Sequence, residues 1–435
     1  MLPPTKQMKR SPLPNLRFVC SFIFIFFLIA SVVSADELKL QELINDALSK
    51  NPEILAYQAR LAGAAFKIPQ AEALPDPMLS FGYQNEGFKR YTYGYEQGAQ
   101  WMLSASQTYP YPGKIPLRTD IASKDREALE RSLKAVRLKT IVRVKELYAD
   151  IFLAYKNLDI IKDRAALIAR IEDAALARYS SGVSEVQDAV TAQTEKYMLL
   201  EREEMLRQKI NALEGMINAV SGRDISAPIG KPGEYNVSQY SKTLDEIIKT
   251  AYSNSPEIKS RESSISVSEK KVELAKKDFY PDFTLNAGYA TRRGVFKDMW
   301  NLTTTINVPL YHEKKQKQAV NEAEAATREN RYELEALKFM LSSSIRENHA
   351  MITSAEKLME LYKKGLIPKA YQDFDLALAG YVSGKGDASS IISRLKSLID
   401  YETLYWNQFI EREKAIARIE AVSGISDMES KGNQK

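Results

Sequence analysis

The chain has 435 residues, of which 27% are Asp, Glu, Lys or Arg of mixed sign, and a formal net charge of +5. Residues 1–35 hold four of the Lys/Arg and no acid, so without them the balance is +1, which excludes the electrostatic footprint of a nucleic-acid-binding protein. The single cysteine, Cys20, lies in the same segment, so the rest of the chain has no disulfide, no thiol chemistry and no metal site of His/Cys type.

Lys6, Lys9, Arg10 and Arg17 precede an apolar run from Phe18 to Val33, and Val33-Ser34-Ala35 supplies small residues before Asp36. This is the pattern of a cleaved signal peptide over 1–35. An uncleaved anchor is the alternative, but the run falls short of the ~20 residues a spanning helix needs. Acylation of Cys20 is disfavoured because the apolar run follows the cysteine instead of preceding it.

The remainder repeats itself. Leu40-Gln41-Glu42-Leu43-Ile44 matches Leu244-Asp245-Glu246-Ile247-Ile248, and Asn51-Pro52-Glu53-Ile54 matches Ser255-Pro256-Glu257-Ile258. Leu74-Pro75-Asp76-Pro77 matches Tyr280-Pro281-Asp282-Phe283, Gly82-Tyr83 matches Gly288-Tyr289, and Tyr179-Ser180-Ser181-Gly182 matches Tyr381-Val382-Ser383-Gly384. Ordered matches at offsets of 202 to 206 indicate duplication. The expected organisation is repeat 1 over 36–221, a Pro/Gly-rich linker over 222–240, repeat 2 over 241–424 and a tail over 425–435.

Each repeat opens with a short helix ending near Lys50 or Asn254. Asn51 or Ser255 is placed to cap the next helix, with Pro52 or Pro256 at its first position, where a missing N–H costs nothing. Pro69 is expected to kink the first copy. Two runs of period two follow in each repeat, predicting β-hairpins at about 77–110 and 281–310 with strands of about 9–11 residues, the length of a tilted membrane strand. Leu79, Phe81 and Tyr83 alternate with Ser80, Gly82 and Gln84. Trp300, Leu302, Thr304, Ile306, Val308 and Leu310 alternate with Asn301, Thr303, Thr305 and Asn307. One apolar and one small or polar face fit lipid on one side and water on the other, although a soluble sandwich has the same pattern.

The rest is predicted as long helix: Lys114 to Tyr179, a turn at Gly182, then a return to Val220; and His312 to Tyr381, a turn near Gly384, then Ala388 to Val422. Apolar stripes such as Leu138, Ile141, Val144, Leu147, Ile151 and Phe152 call for coiled-coil packing. Four strands cannot close a barrel, and an open edge in lipid leaves backbone groups unpaired at several kcal/mol each, so closure requires several chains; three give twelve strands. No nucleophile–base pair or phosphate loop stands at motif spacing, and His312 and His349 read as ordinary packed or surface residues. Met78, Met102 and Met299 fall in strands, where packing or lipid contact accounts for them. No enzyme activity, cofactor or metal site is therefore expected.

The duplicated helix–strand–strand–helix–helix plan, with Tyr179/Gly182 and Tyr381/Gly384 at the helical turns, resembles the TolC family of outer-membrane efflux proteins across nearly all of the chain after residue 35. Leu74-Pro75-Asp76-Pro77 and Tyr109-Pro110-Tyr111-Pro112-Gly113-Lys114 resemble its CusC/CzcC heavy-metal branch. The resemblance implies a homotrimer with a twelve-stranded barrel in outer-membrane lipid, continued by a helical coiled-coil tunnel in the periplasm. It implies as partners a periplasmic adaptor and an inner-membrane pump of RND type, and as function a passive conduit for heavy-metal cations or drugs. The helical tips, about 179–192 and 381–395, become the gate and docking site. Asp188 and Tyr381 would form a latch, with Lys385 close by. Ser390 and Ser393 stand where relatives carry pore acids, with Asp387 differently phased. A periplasmic coiled-coil scaffold without channel activity is the competing expectation.

Overall fold

The computed structural model describes residues 37–235 and 237–424; the expected signal peptide with Cys20, and the tail from 425, lie outside the described residues. Two similar halves are present. The first is α1 (Leu40–Lys50), α2 (Pro52–Glu72), β1 (Met78–Gln84), β2 (Gln100–Tyr109), α3 (Lys114–Ser180) and α4 (Val186–Val220). The second is α5 (Leu244–Asn254), α6 (Pro256–Lys277), β3 (Phe283–Thr291), β4 (Met299–Ile306), α7 (Gln316–Leu361), a π-helical turn (Tyr362–Leu366), α8 (Ile367–Val382) and α9 (Ala388–Val422). Among the described residues no helix is long and apolar enough to cross a membrane.

Local chemistry sets the joints. Asn51 accepts from the N–H groups of Glu53 and Ile54 at 2.9 and 3.3 Å, and its Nδ2 donates to Val220 O at 2.9 Å, so one side chain starts α2 and ties it to the end of α4. Ser255 makes no side-chain cap bond. It is buried and lacks the second polar group by which Asn51 is held. Pro69 lies inside α2, and Ala73 N still donates to Pro69 O.

α3 is 67 residues long, a rod of about 100 Å. Its buried positions Val144, Leu147, Ile151, Ala154, Leu158 and Ile161 hold steps of three and four, the knobs of coiled-coil packing. α9 runs antiparallel against it, and Lys145–Glu420, Glu146–Arg418 and Asp150–Lys414 pair at 2.6, 2.7 and 2.5 Å down the seam. The matching helix of the second half departs from the sequence expectation. It begins at Gln316, not His312, and is interrupted at Tyr362–Leu366. Pro368 has no N–H for the Lys364 carbonyl and its ring crowds that turn; a wider π turn, with Ile367 N donating to Tyr362 O, absorbs the misfit.

The segment between the halves is a strap across the helices. Leu38 N donates to Lys231 O at 3.0 Å, and Tyr235 packs among Tyr148, Phe152 and Phe409. Ser238 N donates to Glu413 at 3.2 Å while its carbonyl accepts from Arg412 at 3.1 Å. Arg412 and Glu413 are both buried and pair with each other at 2.5 Å, so neither charge is stranded.

Candidate channel wall and periplasmic tip

The four strands form one antiparallel sheet in the order β1-β2-β3-β4. The ladders put Leu79, Phe81 and Tyr83 opposite Ala105, Leu103 and Trp101, these opposite Ala287, Tyr289 and Thr291, and Ala287 and Tyr289 opposite Leu302 and Trp300. One face is thus a continuous apolar row across all four strands. The other carries Ser80, Gly82, Ser104, Asn286, Gly288, Asn301 and Thr303. The apolar face is not covered: Leu79 is 79% exposed, Phe81 73%, Leu302 62% and Trp300 80%. A soluble sandwich would bury those side chains against a second sheet. An exposed apolar sheet face of this size belongs against lipid.

Strand lengths are 7, 10, 9 and 8 residues, so β1 and β4 are shorter than expected. β4 stops at Ile306 instead of running to Leu310 because its partner β3 begins at Phe283, directly after Pro281-Asp282. Past Ile306 one further bond reaches across, Asn307 N to Asp282 O at 3.2 Å, and Pro309 has no N–H to extend a ladder. The loop between β1 and β2 is ordered by Asn85. Its Oδ1 accepts from Thr92 N and Oγ1 at 2.8 Å each, and its Nδ2 donates to Gly87 O and Arg90 O.

At the base of the sheet Lys114 is buried at the start of α3. Its ammonium contacts Asp282 at 2.9 Å and Asp278 at 3.1 Å, and Tyr111 N donates to Asp282 at 2.8 Å. Burial works to raise the Asp282 carboxyl, but Lys114 and the Tyr111 N–H outweigh it and hold it below its usual value. This cluster joins the end of β2 to the start of β3, and so couples sheet to helices.

The far ends of the rods turn on two matched caps. Gly182 has φ +73° and Gly384 φ +84°. Gly182 N donates to Tyr179 O and Val183 N to Arg178 O; Gly384 N donates to Tyr381 O and Lys385 N to Gly380 O, all at 2.9 to 3.0 Å. Both are Schellman motifs, which explains why Tyr-x-x-Gly recurs: only glycine takes that backbone without strain. Asp188 and Tyr381, from different halves, meet here. The Tyr381 phenol donates to Asp188 at 3.4 Å and Ala388 N donates to the other Asp188 oxygen at 3.3 Å. Tyr381 is fully buried, and burial, then the Asp188 charge, push its phenol up. Its repeat mate Tyr179 is 50% exposed. Lys385 makes no ion pair among the described residues. Ser390 N and Oγ donate to Asp387, which caps α9, so Asp387 is engaged at the helix start; Ser393 is exposed. The residue that sequence reasoning missed is Arg178. Its guanidinium lies 4.2 Å from the Tyr381 ring centroid and donates to Tyr381 O at 2.8 Å and Gly386 O at 3.3 Å.

The family model of the outer membrane efflux proteins matches residues 43–218 and 247–391, one block in each half. The chain belongs to the outer membrane efflux protein family. Outer membrane protein TolC of Vibrio cholerae is 20% identical over 374 residues, covering 83% of this chain and 85% of the relative. Among solved structures, CusC superposes with a TM-score of 0.78 at 15% identity, covering 89% of this chain and 92% of that one. VceC of Vibrio cholerae superposes with 0.75 at 16% identity, covering 89% and 96%. As an outer membrane efflux protein the chain is a channel component of efflux systems and not an enzyme, its sheet at the outer membrane and its helices extending into the periplasm.

Proposed function

We propose that three copies of this chain close a twelve-stranded barrel in the outer membrane and a helical tunnel below it, forming a passive conduit for cargo. An inner-membrane pump of RND type, through a periplasmic adaptor, delivers that cargo. The observation that carries the reading is a four-stranded sheet with two unpaired edges and an uncovered apolar face. In lipid such edges cost several kcal/mol per unpaired group, and further copies of the same sheet supply the missing partners. The small and polar second face then lines water. A periplasmic scaffold would have to hide the row from Leu79 to Trp300, and no element packs over it among the described residues.

The tips about Tyr179, Gly182 and Asp188, and about Tyr381, Gly384, Lys385, Ser390 and Ser393, are proposed as the gate and adaptor-docking end. Asp188 with Tyr381 serves as a breakable latch, and its partly exposed, single hydrogen bond suits that role. Heavy-metal cations are proposed as cargo on the strength of the Leu74–Pro77 and Tyr109–Lys114 stretches. The test is a deletion strain complemented with the gene and challenged with copper, silver, zinc and a panel of drugs. Restored metal tolerance alone supports the metal reading, and restored drug tolerance alone rejects it. Ion conductance of the purified protein in planar bilayers tests the conduit itself.

A further inference from the structure

Methionine stands on the wrong face of the sheet for an apolar residue. The sequence puts Met78, Met102 and Met299 in strands, where packing or lipid contact would account for them. The ladders turn all three away from the apolar row. Met102 lies opposite Gly82 on one side and Ala290 on the other, and Ala290 lies opposite Met299. Gly82, Met102, Ala290 and Met299 therefore form one row across the four strands, on the face that carries Ser80, Ser104, Asn286 and Asn301. Met78 shares that face, in the row of Ser106, Asn286 and Thr303. Met299 is 50% exposed, so burial does not explain its place.

The row brings two thioethers towards each other. Met102 and Met299 flank Ala290 from either side, roughly 10 Å apart at the backbone, two interstrand spacings. Each side chain is unbranched and freely rotating, so both sulfurs can reach the space above Ala290. The small residues Gly82, Gly288 and Ala290 leave that space open, and both methionines line one concavity of about 330 Å³ there. Gln100 orients one of the sulfurs: its Nε2 donates to Met102 Sδ at 3.7 Å and to Gln84 Oε1 at 3.3 Å. Among the described residues no Asp, Glu, His or Cys lines the concavity. Its donors are thioether sulfur with amide and hydroxyl oxygen. Uncharged, polarizable sulfur selects soft cations over magnesium or zinc.

We propose that Met102 and Met299 form a thioether site for soft monovalent cations, of the copper(I) and silver(I) class, on the water-filled wall of the conduit. The site rests on the conduit and metal-cargo readings above and names the cations that this wall receives. As the ion arrives, Met102 Sδ exchanges the Gln100 N–H for the metal. Two neutral sulfurs without a carboxylate hold it weakly, and a station in a conduit must release what it binds.

The probe is silver(I), added to protein purified from outer membranes in detergent. The methionine methyl groups carry carbon-13, and Met102→Leu and Met299→Leu assign their signals. Leucine keeps the volume and apolarity of methionine, so these variants are expected to fold. Silver is expected to shift the Met102 and Met299 signals together, saturating at an equimolar amount. Zinc is expected to shift neither, and Met78, roughly 13 Å along β1 from the Gly82 row, is expected to stay in place under silver. Ala290→Leu keeps both sulfurs but fills the space between them, and is expected to abolish the joint shift. No shift, separate shifts of unrelated affinity, or a joint shift that survives Ala290→Leu overturns the shared site and leaves the cargo reading to the tolerance assay. A joint shift in a protein that restores drug tolerance alone overturns the cargo reading and leaves the site standing. In the deletion strain, Met102→Leu with Met299→Leu is expected to lower silver tolerance and leave zinc tolerance as in the parent. Unchanged silver tolerance overturns the part of the site in transport.

Discussion

The phenolic oxygen of Tyr381 lies 3.4 Å from a carboxylate oxygen of Asp188, a residue 193 positions away in the other half of the chain. Arg178 holds the same tyrosine over its ring and at its carbonyl. One aromatic side chain thus binds the two helical hairpins together at their tips.

If Asp188 and Tyr381 act as the proposed latch, removing it should loosen the tip without unfolding the chain. A hydrogen bond to a charged group contributes about 1.5–3 kcal/mol, and one this long about 1 kcal/mol. Tyr381→Phe keeps the ring under Arg178, so it should raise basal bilayer conductance modestly, and Arg178→Ala more strongly. Equal conductance in both variants and in the parent would show that these contacts do not gate.

Gly182→Ala and Gly384→Ala place a Cβ at positive φ, which costs about 1 kcal/mol at each turn. Nothing lies within 4 Å of either position, so strain is the sole penalty. Faster amide exchange confined to the tip is the expected result; a global loss of protection would contradict it.

Acid should act at the base of the sheet. Asp282 is held below its usual 3.8 in the folded chain, so its stabilising contribution is complete above that value and is lost as pH falls through the folded value. Thermal stability in detergent should be level with respect to this group above about pH 5 and fall below about pH 4, and Asp282→Asn should remove part of the fall. Lys114→Ala should cost about 1–2 kcal/mol, less than a fully buried pair because Asp282 is 30% exposed.

The two faces of β4 should answer oppositely to charge. Leu302→Arg places a guanidinium on the apolar face and should block insertion into outer membranes. Thr303→Arg, one residue along, points to the polar face and should insert normally while altering ion selectivity. Equal insertion of the two variants would remove the assignment of faces.

Much of this was readable in the sequence because duplication and period survive without coordinates. The alternation through Leu79–Tyr83 and Trp300–Ile306 gave the faces, and Tyr-x-x-Gly gave both tips. What escaped was contact without period. Arg178 corresponds to Gly380 in the second half, so the repeat could not flag it. Arg412 and Glu413 look like an ordinary charged helix face, and only the strap at Ser238 shows why they are buried. The π turn did have a sequence signal, Gly365 and Pro368, but a proline within an apolar helical pattern does not say whether the helix will stop, kink or widen. The ends of β1 and β4 were overestimated because alternation continues past the residues that have a partner strand to pair with.

The central claim is that the open sheet edges are closed by further copies of the chain in a membrane. Light scattering with sedimentation, on protein extracted from outer membranes in detergent, tests it most directly. A trimer that requires detergent to stay in solution is the predicted result. A monomer soluble in plain buffer would contradict the account.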